Sequence, residues 1–281
     1  MMLKMETFNF KNATSKKHCH FIAANGFSPK VYNQIFKDIT TWSIKSPLLR
    51  PLWNPSPPPT LHSWMDFADD LVPYVEEFQP KIVIGHSIGA VIWLLYSIKY
   101  NYSFDKIIMI DPALFPTWMY RIYPIIYKLN LQKRLHPLIK VTLNRKQTFS
   151  SFKEAEDNYK QKPIFSRIKE DILNDYITSM FEKNNNNEVS LVYSPQWESI
   201  IYEKGMLADS IIWKQLANIT GKTEVVYLKG ELSTICTDSV TKHLEESCSH
   251  FFSYEIPDTT HLLPFENPES VKDIISLHLE T

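Results

Sequence analysis

The chain has 281 residues, of which 44% are apolar and 22% charged, enough to bury a complete core and unlike a disordered or fibrous polypeptide. Lys plus Arg number 30 and Asp plus Glu 31, so no global field draws the chain to nucleic acid or an anionic surface. Only six residues are glycine, against a usual ~7%, so glycine should persist where the backbone demands it. In chain order, His20 to Ala24 reads as a buried strand, ended by a turn at Asn25-Gly26 and followed by a helical stretch near Val31 to Phe36. Ile39 to Ile44 alternates weakly as a next strand. Pro55 to Pro59 is a loop. His62 to Phe78 is helical, with Trp64, Phe67, Leu71 and Val75 at spacings of three and four. Lys81 to Ile84 is a short apolar strand, and Ile88 to Tyr100 a helix apolar nearly all round, hence buried. Lys106 to Ile110 is another strand.

There the alternation stops. Pro112 to Tyr202 is rich in Tyr, Lys, Phe and Ile and reads as several helices, one opened by the capping box Ser151-Phe152-Lys153-Glu154. Asn184 to Asn187 is a surface loop. Strands then return at Val225 to Leu228 and Phe251 to Ile256, and Val271 to Leu279 closes the chain as a helix. Strands alternating with helices predict an α/β fold, a mostly parallel twisted sheet with helices on both faces. The expected division is a core of 1–112 and 208–281 with a helical cap inserted at 113–207.

Cys19, Cys236 and Cys248 are odd in number and lack C-x-x-C spacing, which argues against a disulfide framework and a metal site. Met1 to Lys17 has no apolar core of signal-peptide length. The most apolar stretch, Ile82 to Ile98, is broken by His86 and Ser87 and falls short of the ~20 residues that span a bilayer. A cytoplasmic protein without stable membrane insertion is expected. The basic run Lys128 to Arg145 reads as a solvated face, so no nucleic-acid partner is expected.

The chemical signal is Gly85-His86-Ser87-Ile88-Gly89, which joins the apolar strand directly to the buried helix. A serine on such a sharp nucleophile elbow needs small residues two before and two after it. The turn lifts the hydroxyl above the strand end and aims the Ile88 N–H at the same space. Serine needs a base. Of nine histidines, His261 is the best placed, on the loop between the last strand and the last helix. His250 precedes a strand and belongs at the other end of the sheet, His278 sits in the final helix, and the position of His86 turns it away from the hydroxyl.

These pieces resemble the α/β-hydrolase superfamily. The similar segments are Ala23-Ala24-Asn25-Gly26-Phe27, Gly85 to Gly89, Ile110-Asp111-Pro112, and His261-Leu262-Leu263-Pro264-Phe265-Glu266-Asn267-Pro268-Glu269. The resemblance implies a Ser87–His261–acid triad and an oxyanion hole from the backbone N–H groups of Asn25 and Ile88. Where many members have His-Gly, this chain has Ala23-Ala24. The acid position is also altered: after Val225 to Leu228, Ser233 stands where the family's Asp is expected. Asp111 is the preferred acid, with Glu231 the alternative and Asp238 a third candidate.

The expected reaction is two-step acyl transfer on a small or medium, largely apolar carboxylic ester, with no metal or organic cofactor. Thioester or C–C bond hydrolysis on the same triad, or an inactive ligand receptor or scaffold, are the alternatives. Trp118, Tyr120 and Tyr123 are candidates for lining the acyl pocket, against the plainer reading that they pack the underside of the cap.

Overall fold

Short runs of branched apolar residues, each followed by a helix, build the centre of the molecule. A computed structural model describes residues 5–10, 15–54 and 61–280; the loop expected at 55–59 lies outside them. Ten strands are present among the described residues: β1 (Thr7–Asn9), β2 (His18–Ile22), β3 (Ser43–Pro47), β4 (Ile82–His86), β5 (Lys106–Ile110), β6 (Thr148–Phe149), β7 (Phe181–Lys183), β8 (Val189–Leu191), β9 (Glu224–Gly230) and β10 (His250–Ile256). Seven form the main sheet in the order β1-β3-β2-β4-β5-β9-β10. All its pairings are parallel except β1 with β3.

β4 sits near the middle, with Ile84 opposite Phe21 of β2 and Ile108 of β5. The period of two sends Ile84 and Ile108 into one core cluster and Val83 and Ile107 into the other. Both faces of the central strands are therefore dry, which is why they lack an apolar–polar alternation. The helix Ile88–Tyr100 covers one face, with every side chain from Ile88 to Ser97 buried, and the Trp93 indole donates to the Ile84 carbonyl at 3.1 Å.

Three elements depart from expectation for local reasons. The strand expected at 39–44 lies at Ser43–Pro47; Ile39 is buried from a turn, since burial does not require a strand. The helix expected over 62–78 is two, Met65–Asp70 and Val72–Phe78, because Pro73 has no N–H to continue the ladder. The stretch near 31–36 is a 3₁₀ turn, Pro29–Tyr32, running into Asn33–Phe36.

Between β5 and β9 the expected helices are present, among them Thr117–Lys128, Pro137–Leu143, Phe152–Lys160, Glu170–Met180 and Pro195–Lys204. They are joined by a small antiparallel sheet, β6-β8-β7, whose strands of two or three residues carry too little pattern to be read. Ser151 caps its helix through the Glu154 N–H at 3.1 Å. The Glu154 carboxylate turns to the Ser150 N–H and hydroxyl instead of closing the box. Asn184 to Asn187 form an exposed turn. The three cysteines are free and buried. No helix among the described residues is long and apolar enough to cross a membrane.

The tightest joint lies between β2 and the elbow. A Cβ on Gly89 would stand 2.2 Å from the Ile22 carbonyl oxygen, and one on Gly85 2.2 Å from the Ala90 nitrogen. Gly89→Ala is expected to cost about 2–3 kcal/mol of stability, read as a lowered urea midpoint. An unchanged midpoint would show that helix and strand can separate there.

Candidate active site

Ser87 sits between β4 and the helix Ile88–Tyr100 with φ 55° and ψ −119°, a backbone region that costs a non-glycine residue about 1–3 kcal/mol. Its N–H donates to the Ile110 carbonyl at 2.9 Å, which ties the elbow to the end of β5. Directly after β5, Asp111 also takes a positive φ, 39°, and its N–H donates to the Leu228 carbonyl of β9 at 2.7 Å. Two consecutive strand ends thus turn sharply on the same edge of the sheet.

His261, on the loop after β10, bridges them. Its Nε2 lies 3.0 Å from Ser87 Oγ and its Nδ1 2.5 Å from Asp111 Oδ2. The Asp111 carboxylate has no solvent exposure, while 28% of the His261 side chain is exposed. Asp111 also accepts from the Ser233 hydroxyl at 2.6 Å and the Gly230 N–H at 3.4 Å. An ionised carboxylate out of water needs such donors. The loop after β9 comes close enough because residue 230 is glycine: a Cβ there would meet the Thr260 carbonyl oxygen at 2.4 Å.

The other acid candidates are engaged elsewhere. Glu231 accepts from the Asp258 N–H at 2.8 Å, and Asp238 pairs with Lys229 at the surface. Ser233, at the position where an aspartate was expected, serves the carboxylate of Asp111 as a donor.

His86 points away from the hydroxyl, as its place in the sequence implies, and the direction matters. The Ala24 N–H donates to the Tyr32 hydroxyl at 3.1 Å, which donates to His86 Nδ1 at 2.7 Å. Nε2–H then donates to the His261 carbonyl at 2.9 Å. Since that carbonyl can only accept, the proton of the neutral ring belongs on Nε2. The relay ties the Ala23-Ala24-Asn25 loop to the His261 loop. Tyr32 gave no sequence signal beyond an aromatic in a helical stretch.

The Asn25 side chain is held from the other side. Its Nδ2 donates to the Glu198 carbonyl at 3.0 Å and its Oδ1 accepts from Tyr193 at 2.9 Å. Beside it Gly26, at φ 81°, leaves room for the Glu198 carboxylate, which would lie 3.0 Å from a Cβ. That carboxylate is buried and paired with Arg145 through contacts of 2.6 and 2.9 Å. The backbone N–H groups of Asn25 and Ile88 find no acceptor among the described residues.

The aromatic candidates fare differently. Trp118 is 64% exposed. It lines a cleft of about 320 Å³ with Arg121, Trp213 and His243 that Ser87, Asp111 and His261 do not line. The structure therefore does not bring Trp118 to the serine. Tyr123 is buried, its hydroxyl donating to the Glu203 carbonyl at 2.9 Å, so it packs within the segment between β5 and β9. Tyr120 is partly buried against the core cluster that contains the elbow helix. Among the described residues no cluster of His, Cys, Asp and Glu could hold a metal ion.

Residues 58–255 match the family described as serine aminopeptidase, S33, over more than half of the chain. The chain belongs to the α/β-hydrolase superfamily. Solved members share its fold at low identity. The E-2-(acetamidomethylene)succinate hydrolase superposes with a TM-score of 0.76 and 14% identity, covering 99% of this chain and 95% of that one. The peroxisomal α/β-hydrolase Lpx1 of Saccharomyces cerevisiae gives 0.73 and 16%, over 94% and 77%. The Mycobacterium tuberculosis esterase Rv0045c gives 0.70 and 14%, over 99% and 93%. Among curated proteins none matches the chain in sequence.

Burial, and the charge of His261, hold the pKa of His86 well below the ordinary 6.5. The unfolded chain therefore binds the extra proton first, and stability contributed by the neutral ring is lost as pH falls below 6.5. Lowering the pH from 6.5 to about 5 should reduce the unfolding free energy by at most about 1.4 kcal/mol per pH unit from this group, read as a lower urea midpoint. His86→Gln should flatten that slope. Burial, then Lys45 and His18, lower His20 to about 3, so its parallel share remains in the variant. Equal slopes in both proteins would remove His86 as the source.

Proposed function

We propose that the chain is a serine hydrolase cleaving carboxylic esters of small or medium, largely apolar substrates through an acyl-enzyme. The observation that carries this reading is the hydrogen-bonded line Ser87–His261–Asp111, rooted in a strained turn with unspent N–H donors beside it. The proposed division of labour is a hydrolase core of 1–112 and 208–281, with 113–207 as a cap.

His261 Nε2 takes the Ser87 proton as Oγ attacks the ester carbonyl, and Asp111 stabilises the imidazolium through Nδ1–H. The N–H groups of Asn25 and Ile88 hold the developing oxyanion. Collapse of the tetrahedral species expels the alcohol, which leaves with the proton from His261. Water then attacks the acyl-enzyme, giving its proton to His261, and the acid departs as Ser87 recovers a proton. Asp111 never needs to be protonated. Ser233 and the Gly230 N–H hold its lone pairs so that one oxygen stays on the imidazole. The insertion contributes by fixing Asn25 through Tyr193 and Glu198.

Hydrolysis of a chain-length series of p-nitrophenyl esters tests the reading. Ser87→Ala should lower kcat by at least roughly a thousandfold, and labelling by a fluorophosphonate should vanish with it. No turnover and no labelling of the native chain would favour a receptor or scaffold. Asp111→Asn should cost roughly 10³–10⁴ in kcat while Glu231→Gln stays near native; the reverse would move the acid to Glu231. Tyr193→Phe, which frees one side of Asn25, should lower kcat by about tenfold with little change in KM. A change confined to KM would assign Tyr193 to substrate binding.

A further inference from the structure

The helix Thr117–Lys128 is packed the wrong way round for a helix that meets water. Its tyrosines face inward: Tyr123 is buried with its hydroxyl on the Glu203 carbonyl, and Tyr127 is bonded to Lys204. Its exposed side carries Trp118, Ile122 and Ile125, with Leu129 at the C-cap, at spacings of four, three and four that form one stripe. Trp118, Ile125 and Leu129 are 64%, 61% and 61% exposed. Leu135 and Val141 on the next two helical turns are similarly open. Soluble chains scatter single exposed apolar side chains; a row of them on one helix marks a surface that meets something apolar.

The charge around the stripe selects the partner. From Pro112 to Lys153 there are eight Lys and Arg and no Asp or Glu, although the whole chain carries a net charge of only −1. Arg145 and Lys146 are engaged by Glu198 and Glu154, and Lys133 approaches Glu203 at 3.6 Å. Arg121, Lys128, Arg134 and Lys140 are exposed and have no carboxylate partner among the described residues. A second copy of the chain docked symmetrically would set these cations against themselves. Nucleic acid would leave the isoleucines and leucines unsatisfied. A sheet of anionic headgroups above acyl chains satisfies both: Trp, Ile and Leu enter the interface while Lys and Arg stems reach up to the headgroups.

We propose that the outer face of residues 117–143 is a peripheral docking surface for an anionic lipid membrane. Binding is interfacial and reversible, since no helix among the described residues is long enough to span the bilayer. The face is separate from Ser87, so docking does not depend on the esterase reading.

Sedimentation of the full chain with phosphatidylcholine vesicles and with equimolar phosphatidylcholine–phosphatidylserine vesicles is the test. The native chain should bind the anionic vesicles roughly tenfold more strongly, and added salt should erase that preference. Ile122→Ser with Ile125→Ser should lose roughly tenfold or more in partitioning, with unchanged thermal unfolding and unchanged hydrolysis of a short soluble ester. Lys128→Glu with Arg134→Glu should abolish the preference for phosphatidylserine. Failure of the native chain to sediment with either vesicle, or equal binding by the double serine variant, would overturn the proposal. A dimer in light scattering that the double serine variant converts to monomer, without vesicle binding, would assign the face to a second copy instead.

Discussion

Removing a carboxylate from water is among the more costly things a fold can do, and Asp111 is removed completely. Its charge must then be met by donors that cannot drift away. Three arrive from two neighbouring strand ends: the Gly230 N–H at the end of β9 and the Ser233 hydroxyl just beyond it, and His261 Nδ1 after β10. Each requirement propagates. The β9 loop can approach only because residue 230 lacks a side chain, and Asp111 can turn toward them only from a left-handed backbone at the end of β5. The imidazole, held on one nitrogen, then presents the other to Ser87.

A second constraint acts on the backbone around that line. The neutral His86 ring lies between the Tyr32 hydroxyl and the His261 carbonyl, and so couples the loop after β2 to the loop after β10 through groups that carry no net charge. A charged ring here would repel positive charge on His261; burial keeps this one uncharged. Ala23-Ala24 offers this loop no side-chain donor. The bracing comes instead from Tyr32 below and from Tyr193 and Glu198 above.

Much of the core was legible in the sequence because its elements are extreme. The helix Ile88–Tyr100 and the strand Lys106–Ile110 have the boundaries expected of them, since uniform burial leaves an uninterrupted apolar run. Ser87 and His261 stood out because a strand, a tight turn and a helix need particular small residues in a particular order. Asp111 could be named but not separated from Glu231, because the choice depends on which loop swings toward His261, and that is settled by tertiary contacts such as Gly230 against Thr260. The aromatic residues of the insertion were harder still. Trp118, Tyr120 and Tyr123 share a helix and similar chemistry, yet one is exposed and one buried; periodicity finds a stripe but not which way it faces. The strands β6, β7 and β8 were too short to leave a period of two.

The grip of the insertion on Asn25 has a consequence for how the molecule could open. Asn25 is pinned by a hydroxyl and a carbonyl from the segment between β5 and β9, and the largely buried Arg145–Glu198 pair turns its carboxylate to Gly26. Lifting the insertion away as a hinged door would pull both anchors off the loop and expose an ion pair made for a dry setting. On the reading proposed here, an open door would also be a disarmed one: the same movement that admits a substrate would unmake one half of the oxyanion hole. Chemistry and closure would then be a single event.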